Sequence, residues 1–193
     1  MRVLVLYAHP VETSFAAALH AAVVEGLRAA GHSVDICDLY AENFNPILSR
    51  SERLAYHAPD ADRSAVAPWI ARLEAAEALV LLSPVWNFGY PAILKGFLDR
   101  VFLPGVTFAI DNGAVVPGPA RLRRIAAVHT YGGPRWAAFM AGDPPRRFAR
   151  RILRRLFRPD RAVRYLALYD MNRATPSARA AFLARVAAEM KAL

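Results

Sequence analysis

Residues 78–91, Ala-Leu-Val-Leu-Leu-Ser-Pro-Val-Trp-Asn-Phe-Gly-Tyr-Pro, constrain the fold more than any other stretch, because their character changes halfway along. The opening apolar run lies between Glu74/Glu77 and Pro84 and has no polar alternation, which predicts a parallel strand covered on both faces. From Pro84 on, loop chemistry takes over. Pro84 and Pro91 restrict φ at either end, Gly89 lets the backbone come close to a ligand, and Trp86, Phe88 and Tyr90 offer flat faces. Pro91 then opens a helix in which Ile93, Leu94, Phe97, Leu98, Val101 and Phe102 recur at helical spacing. Strand, aromatic loop and helix follow without a spacer. In open α/β sheets ligands sit beyond the carboxyl ends of the strands, so the loop is a candidate ligand site. On their own, the three aromatics also fit an ordinary core or interface.

The rest of the chain repeats the pattern. Residues 2–7 predict a first strand and residues 15–30 a helix with Leu19, Val23 and Leu27 on one face, ended by Gly31. The loop between them, Ala-His-Pro-Val-Glu-Thr-Ser, holds no glycine, which excludes both the dinucleotide-binding glycine fingerprint and the phosphate loop of nucleotide hydrolases. Thr13 and Ser14 stand at the helix mouth, where unpaired N–H groups and the dipole favour an anion; the same hydroxyls also suit a plain N-cap. His9 either donates to that anion or packs beneath the loop. Residues 33–38 predict the second strand, and a helix from Ser49 breaks at Pro59 and resumes over residues 64–76. Residues 103–113 read as a long loop or short hairpin. Residues 124–129 predict the fourth strand, leading into Thr130, Tyr131, Gly132, Gly133 and Pro134, where the paired glycines either free N–H groups toward a ligand or form a simple turn. Residues 163–168 make a fifth strand and residues 177–193 a last helix capped by Thr175 or Ser177. This alternation predicts an α/β protein, a doubly wound five-stranded parallel sheet with helices on both faces.

At 193 residues and 55% hydrophobic composition, with no linker-like stretch, the chain reads as one domain over residues 1–193. Cys37 is the single cysteine, which excludes an intrachain disulfide framework; in a predicted strand it reads as a buried, inert thiol. The apolar run of residues 3–6 is too short for a signal peptide or a membrane span, so a cytoplasmic protein without membrane insertion is expected. The net charge of +9 is concentrated in residues 121–164. There Phe148, Ala149, Ile152, Leu153, Leu156 and Phe157 make the apolar face of a helix whose other face carries Arg146, Arg147, Arg150, Arg151, Arg154 and Arg155. A solvated basic face is the reading preferred over a phosphate-binding or membrane-surface one. Zinc-finger spacing and RNA-binding motifs are absent from the sequence, which argues against a nucleic-acid partner.

Taken together, His9–Pro10 with Ser14–Phe15, the 84–91 loop with Leu94-Lys95-Gly96-Phe97 and Asp99-Arg100-Val101-Phe102, and Thr130 to Gly133 resemble the flavodoxin-like NAD(P)H:quinone oxidoreductase family, of the flavodoxin-2 type. The resemblance covers the chain up to about Gly133 and is most specific in its central block. It implies a flavin at the strand ends of a sheet ordered 2-1-3-4-5, a homodimer whose subunits complete each other's sites, and two-electron reduction of quinones by ping-pong hydride transfer from NAD(P)H. By that resemblance His9, Thr13, Ser14 and Phe15 hold the flavin phosphate, and Pro84, Val85, Trp86, Asn87 and Phe88 run along the ring edge. Thr130, Tyr131, Gly132 and Gly133 meet the pyrimidine end, where N–H donors stabilise negative charge. Trp86, Phe108 and Tyr131 border the substrate, with Phe108 reaching across the dimer. The helix carrying Lys95 and Asp99 helps form that dimer, while those two side chains read as a local ion pair. FMN is favoured over FAD because the chain is short. Some members carry a tyrosine and a histidine after the glycine pair; here Arg135, Trp136 and Phe139 occupy that region, so no catalytic acid is assigned. The competing function is a flavin-binding electron carrier or regulatory subunit that meets a protein partner through the basic face of residues 146–158.

Overall fold

In the computed structural model, which describes residues 1–58 and 60–193, the apolar runs line up as neighbours in one parallel sheet. The elements in order are β1 (Arg2–Tyr7), α1 (Phe15–Ala29), β2 (Ser33–Asp38), α2 (Arg50–Leu54), a 3₁₀ turn (Ser64–Val66), α3 (Ala67–Glu74), β3 (Ala78–Val85) and α4 (Ala92–Val101). Then come β4 (Phe108–Asp111), β5 (Ala114–Pro117), β6 (Arg124–Tyr131), α5 (Arg135–Met140), α6 (Pro144–Arg147), a π-helical turn (Phe148–Leu153), α7 (Arg154–Phe157), β7 (Arg164–Leu168) and α8 (Pro176–Lys191). The sheet runs β2-β1-β3-β6-β7, the order 2-1-3-4-5 when its own strands are counted alone. The expected helix break at Pro59 lies outside the described residues, whereas the 103–113 stretch is a loop that leads into an antiparallel hairpin, β4 with β5, ending four residues later than expected, at Pro117. Among the described residues no helix is long and apolar enough to cross a membrane.

Alternate residues of each central strand face opposite ways, and both sides are apolar. Leu4, Leu6, Leu79, Leu81, Ile125 and Ala127 pack with residues of α3 and α4, while Val3, Val5, Val80, Leu82, Ala126 and Val128 pack with residues of α1 and α8. Every residue of β3 is buried, which explains its unbroken apolar run. Each such Val or Leu, taken from water to the core, contributes roughly 1.5–3 kcal/mol.

Two strands reach further than expected, and their extra residues lead into the candidate site. β3 continues through Ser83, Pro84 and Val85, and β6 through Thr130 and Tyr131, with Pro84 opposite Thr130 and Val85 opposite Tyr131. A proline inside a central strand ordinarily loses a ladder bond. Here the Leu82 carbonyl accepts from the Ala8 N–H at 3.1 Å, on the edge facing β1. Backbone groups two residues apart share an edge. The Pro84 nitrogen therefore points where β1 has already ended, and no bond is lost.

The basic helix also departs from its expected form. It reads α6, π turn and α7, and its buried residues are Pro145, Ala149, Leu153 and Phe157, each four after the last. In an α-helix a four-residue spacing drifts around the axis, while the wider π turn drifts the other way. Mixing the two holds the buried stripe straight. Phe148 and Leu156 are half-buried and Ile152 exposed, so the six-residue apolar face expected from α spacing is narrower in the structure.

Candidate functional site

Three loops leave the carboxyl ends of adjacent strands β1, β3 and β6, and each is built by a different local device. After β1, Ser14 is the N-cap of α1: its Oγ accepts from the Ala17 N–H at 3.2 Å. The first turn of α1 holds no acidic residue, so no carboxylate within the helix offsets the positive end of its dipole. Thr13 beside it is exposed and Phe15 is half-buried. His9 accepts the Val11 N–H on Nδ1 at 3.1 Å, which leaves its proton on Nε2 as a donor. Its ring lies 6.0 Å from that of Trp86, bringing the first and second loops into contact.

After β3, residues 86–89 form a tight reversal closed from both sides, Trp86 N–H to Gly89 O at 3.0 Å and Gly89 N–H to Trp86 O at 2.9 Å. The two central residues, Asn87 and Phe88, have φ of 49° and 60°, the arrangement of a type I′ turn. The freedom expected of Gly89 is thus exercised by its neighbours. Asparagine tolerates the left-handed region; phenylalanine there costs about 1–2 kcal/mol. Strain of this kind is typical of ligand clamps, and here it displays Trp86 and Phe88, 41% and 48% exposed.

After β6, the carbonyls of Tyr131, Gly132 and Gly133 accept from the N–H groups of Met171, Asn172 and Asp170. Among the described residues, the amides of Gly132 and Gly133 have no such partner and remain open to a ligand. A Cβ on Gly132 lies 3.2 Å from Asn172 Nδ2, so the close approach of the segment after β7 explains that glycine. Thr130 sits on the same strand end and is buried.

Tyr131 turns inward. Its ring is only 3% exposed and stacks on Tyr169 at 4.4 Å, while its hydroxyl donates to Asp143 Oδ1 at 2.5 Å and bonds the Tyr165 hydroxyl. Tyr169 donates to Asp143 Oδ2 at 3.1 Å. Burial pushes the phenols of Tyr131, Tyr165 and Tyr169 up from their ordinary value, so all three stay neutral donors. Behind them His129 lies between the rings of Tyr90 and Tyr165, with Nδ1 3.1 Å from the Ser83 carbonyl and Nε2 unpartnered. Burial pushes its pKa down to about 4.

Phe108 stands apart from these loops. It lines a cavity of about 930 Å³ with Gly89, Tyr90, Phe102, Val115 and Phe148, whose lining does not include Trp86 or Tyr131. Lys95 and Asp99 form the expected local pair, Nζ to Oδ1 at 2.5 Å. Sequence reasoning missed Asp143, Tyr165, Tyr169 and the Asp170–Asn172 contacts, which join the site only through long-range packing.

The Flavodoxin_2 profile, described as a flavodoxin-like fold, matches residues 1–192. The chain belongs to this family. It is similar to NAD(P)H dehydrogenase [quinone] 1 of Cavia porcellus, 36% identical over 149 residues that cover 68% of this chain and 54% of that protein. An uncharacterized NAD(P)H oxidoreductase of Haemophilus influenzae is 35% identical over 121 residues, covering 60% of this chain and 57% of that one. The chain thus spans about half the length of the curated relatives it matches. Among solved structures, the NAD(P)H:quinone oxidoreductase from Methanothermobacter marburgensis superposes with a TM-score of 0.85 at 26% identity, covering 99% of this chain and 96% of that one. The fold is shared by an FMN-dependent NADH-azoreductase from Bacillus anthracis in complex with FMN, at a TM-score of 0.76 and 16% identity, covering 99% and 96% of the two chains.

Proposed function

We propose that this flavodoxin-like chain is a single, doubly wound domain that binds FMN and, as a homodimer, oxidises NAD(P)H and reduces quinones or similar acceptors in a ping-pong sequence. The observation that carries the reading is the meeting of three adjacent strand ends: the helix mouth of α1 and the open amides of Gly132 and Gly133, with the exposed aromatics of the 86–89 turn between them. These fit a flavin mononucleotide. The acid-free N-terminus of α1, with Thr13, Ser14 and His9, suits a phosphate, while the glycine amides suit a ring that gains negative charge on reduction. A flavin, when bound, supplies the two-electron hydride chemistry that no side chain here provides.

The chain's own residues do the rest. Pro84 and Val85 hold the ring edge on paired, rigid strand ends, and the strained turn presents Trp86 and Phe88 as apolar walls that exclude water. Tyr131 contributes through its main chain, its ring being locked by Asp143 so that Gly132 and Gly133 keep their orientation. Phe108 lines the neighbouring cavity, where an acceptor or the nicotinamide finds apolar cover. The test is steady-state oxidation of NADPH by the purified FMN-loaded protein with a soluble quinone. Turnover by the protein alone is expected. Flavin binding without turnover supports the electron-carrier alternative instead.

A further inference from the structure

We infer that an arginine-lined pocket beside the candidate flavin cleft binds the 2′-phosphate of NADPH and so makes the chain prefer NADPH to NADH; this rests on the NAD(P)H reading above. The pocket, about 310 Å³, is lined by Arg135, Arg146, Arg147, Arg150 and Arg151, with Asp143 as its one acid. Among the described residues none of the five guanidiniums has an acidic partner within salt-bridge distance. The Asp143 carboxylate is already engaged by the hydroxyls of Tyr131 and Tyr169, one on each oxygen. Like charges crowded without counter-ions are unfavourable in themselves, and a multiply charged anion relieves that repulsion.

The helix is shaped to gather these side chains. Arg146 and Arg150 are four residues apart, as are Arg147 and Arg151, and the π turn that begins at Phe148 offsets the drift that α spacing imposes on such pairs. Gly142 has φ of 79°, and a Cβ there falls 3.1 Å from the Arg147 guanidinium, so the glycine leaves room for that arginine to fold over the pocket. Planar guanidinium forks match phosphate oxygens in pairs, which a set of lysines does less well.

Position selects the ligand. Gly142, Arg147 and Arg151 line both this pocket and the 930 Å³ apolar cavity, whose lining also includes Gly89 and Tyr90 of the 84–91 loop. Tyr90 anchors the start of the helix by donating to the Pro145 carbonyl at 3.1 Å. Arg150 lies five residues further on, about 8 Å of helix at about 1.5 Å per residue. One continuous groove therefore joins a place for the nicotinamide, an apolar bed and a cluster of phosphate-binding forks. NADH lacks the 2′-phosphate for which this cluster is placed.

Calorimetric titration of the flavin-loaded protein with adenosine 2′,5′-bisphosphate, adenosine 3′,5′-bisphosphate and adenosine 5′-monophosphate tests the inference without using redox chemistry. The 2′,5′-bisphosphate is expected to bind at least tenfold more tightly than the other two. In an Arg150→Ala/Arg151→Ala variant that advantage disappears, and an Arg150→Lys/Arg151→Lys variant restores part of it. Both positions are exposed, and circular dichroism verifies that the variants fold. Equal binding of all three nucleotides, or an advantage that survives the double alanine change, overturns the inference. Equal binding of the two bisphosphates alone also overturns it, because the pocket then responds to charge and not to the 2′ position. Failure of turnover with intact 2′,5′-bisphosphate preference counts against the oxidoreductase reading and leaves the pocket standing.

Discussion

Replacing His129 with Gln tests the energetics beneath the site. The imidazole has no exposed surface, its Nε2 lacks a partner, and burial lowers its pKa from 6.5 to about 4. In the unfolded chain the same group takes up its proton near 6.5. Between those values the unfolded state binds more protons than the folded one, so stability rises with pH across the window. The contribution is whole above pH 6.5 and is lost as pH falls through about 4. From pH 7.5 to 5.0 the linkage relation gives a loss of about 2 kcal/mol for this one group. Gln at 129 does not titrate, and every other ionisable group is common to both proteins. Urea denaturation of flavin-free wild type and variant at the two pH values therefore isolates the effect. Wild type is expected to lose about 2 kcal/mol more than the variant, a relative midpoint shift of about 1 M urea. Parallel losses refute the reasoning and mean that water or a partner reaches His129.

Two further changes probe the loops themselves. Ser14→Ala removes the N-cap bond to the Ala17 N–H and is expected to lower the stability of the flavin-free protein by about 1 kcal/mol in chemical denaturation; a further tenfold loss of FMN affinity, read by fluorescence quenching, follows if the α1 mouth also holds the phosphate, and unchanged affinity places the phosphate elsewhere. Trp86→Ala and Phe108→Ala are each expected to lower kcat/KM with NADPH and a quinone by about tenfold, equivalent to about 1.4 kcal/mol, and unchanged values remove these rings from the substrate path.

The sheet was legible because a strand buried on both faces leaves no room for polar residues: the β1 and β3 runs announce themselves, and Gly31 and Ser14 mark the limits of α1. The three loops could be found for the same reason, as interruptions at the strand ends. What stayed hidden depends on neighbours distant in sequence. Pro84 is tolerated in β3 only because β1 stops short of it, a fact of register and not of local propensity. The left-handed pair Asn87 and Phe88 goes against ordinary preference at Phe88, where a strained site is the one place such a preference fails usefully. Asp143 reaches Tyr131 and Tyr169 across 12 and 26 residues, and no periodicity encodes that contact. The π turn likewise hides in a sequence whose α-helical pattern looks complete.

The measurement closest to the central claim is an absorbance spectrum of protein purified after incubation with FMN, followed by mass analysis of whatever denaturation releases. The account predicts a yellow protein that retains FMN through gel filtration, with one equivalent per chain recovered on unfolding. A colourless protein that retains neither FMN nor FAD contradicts it.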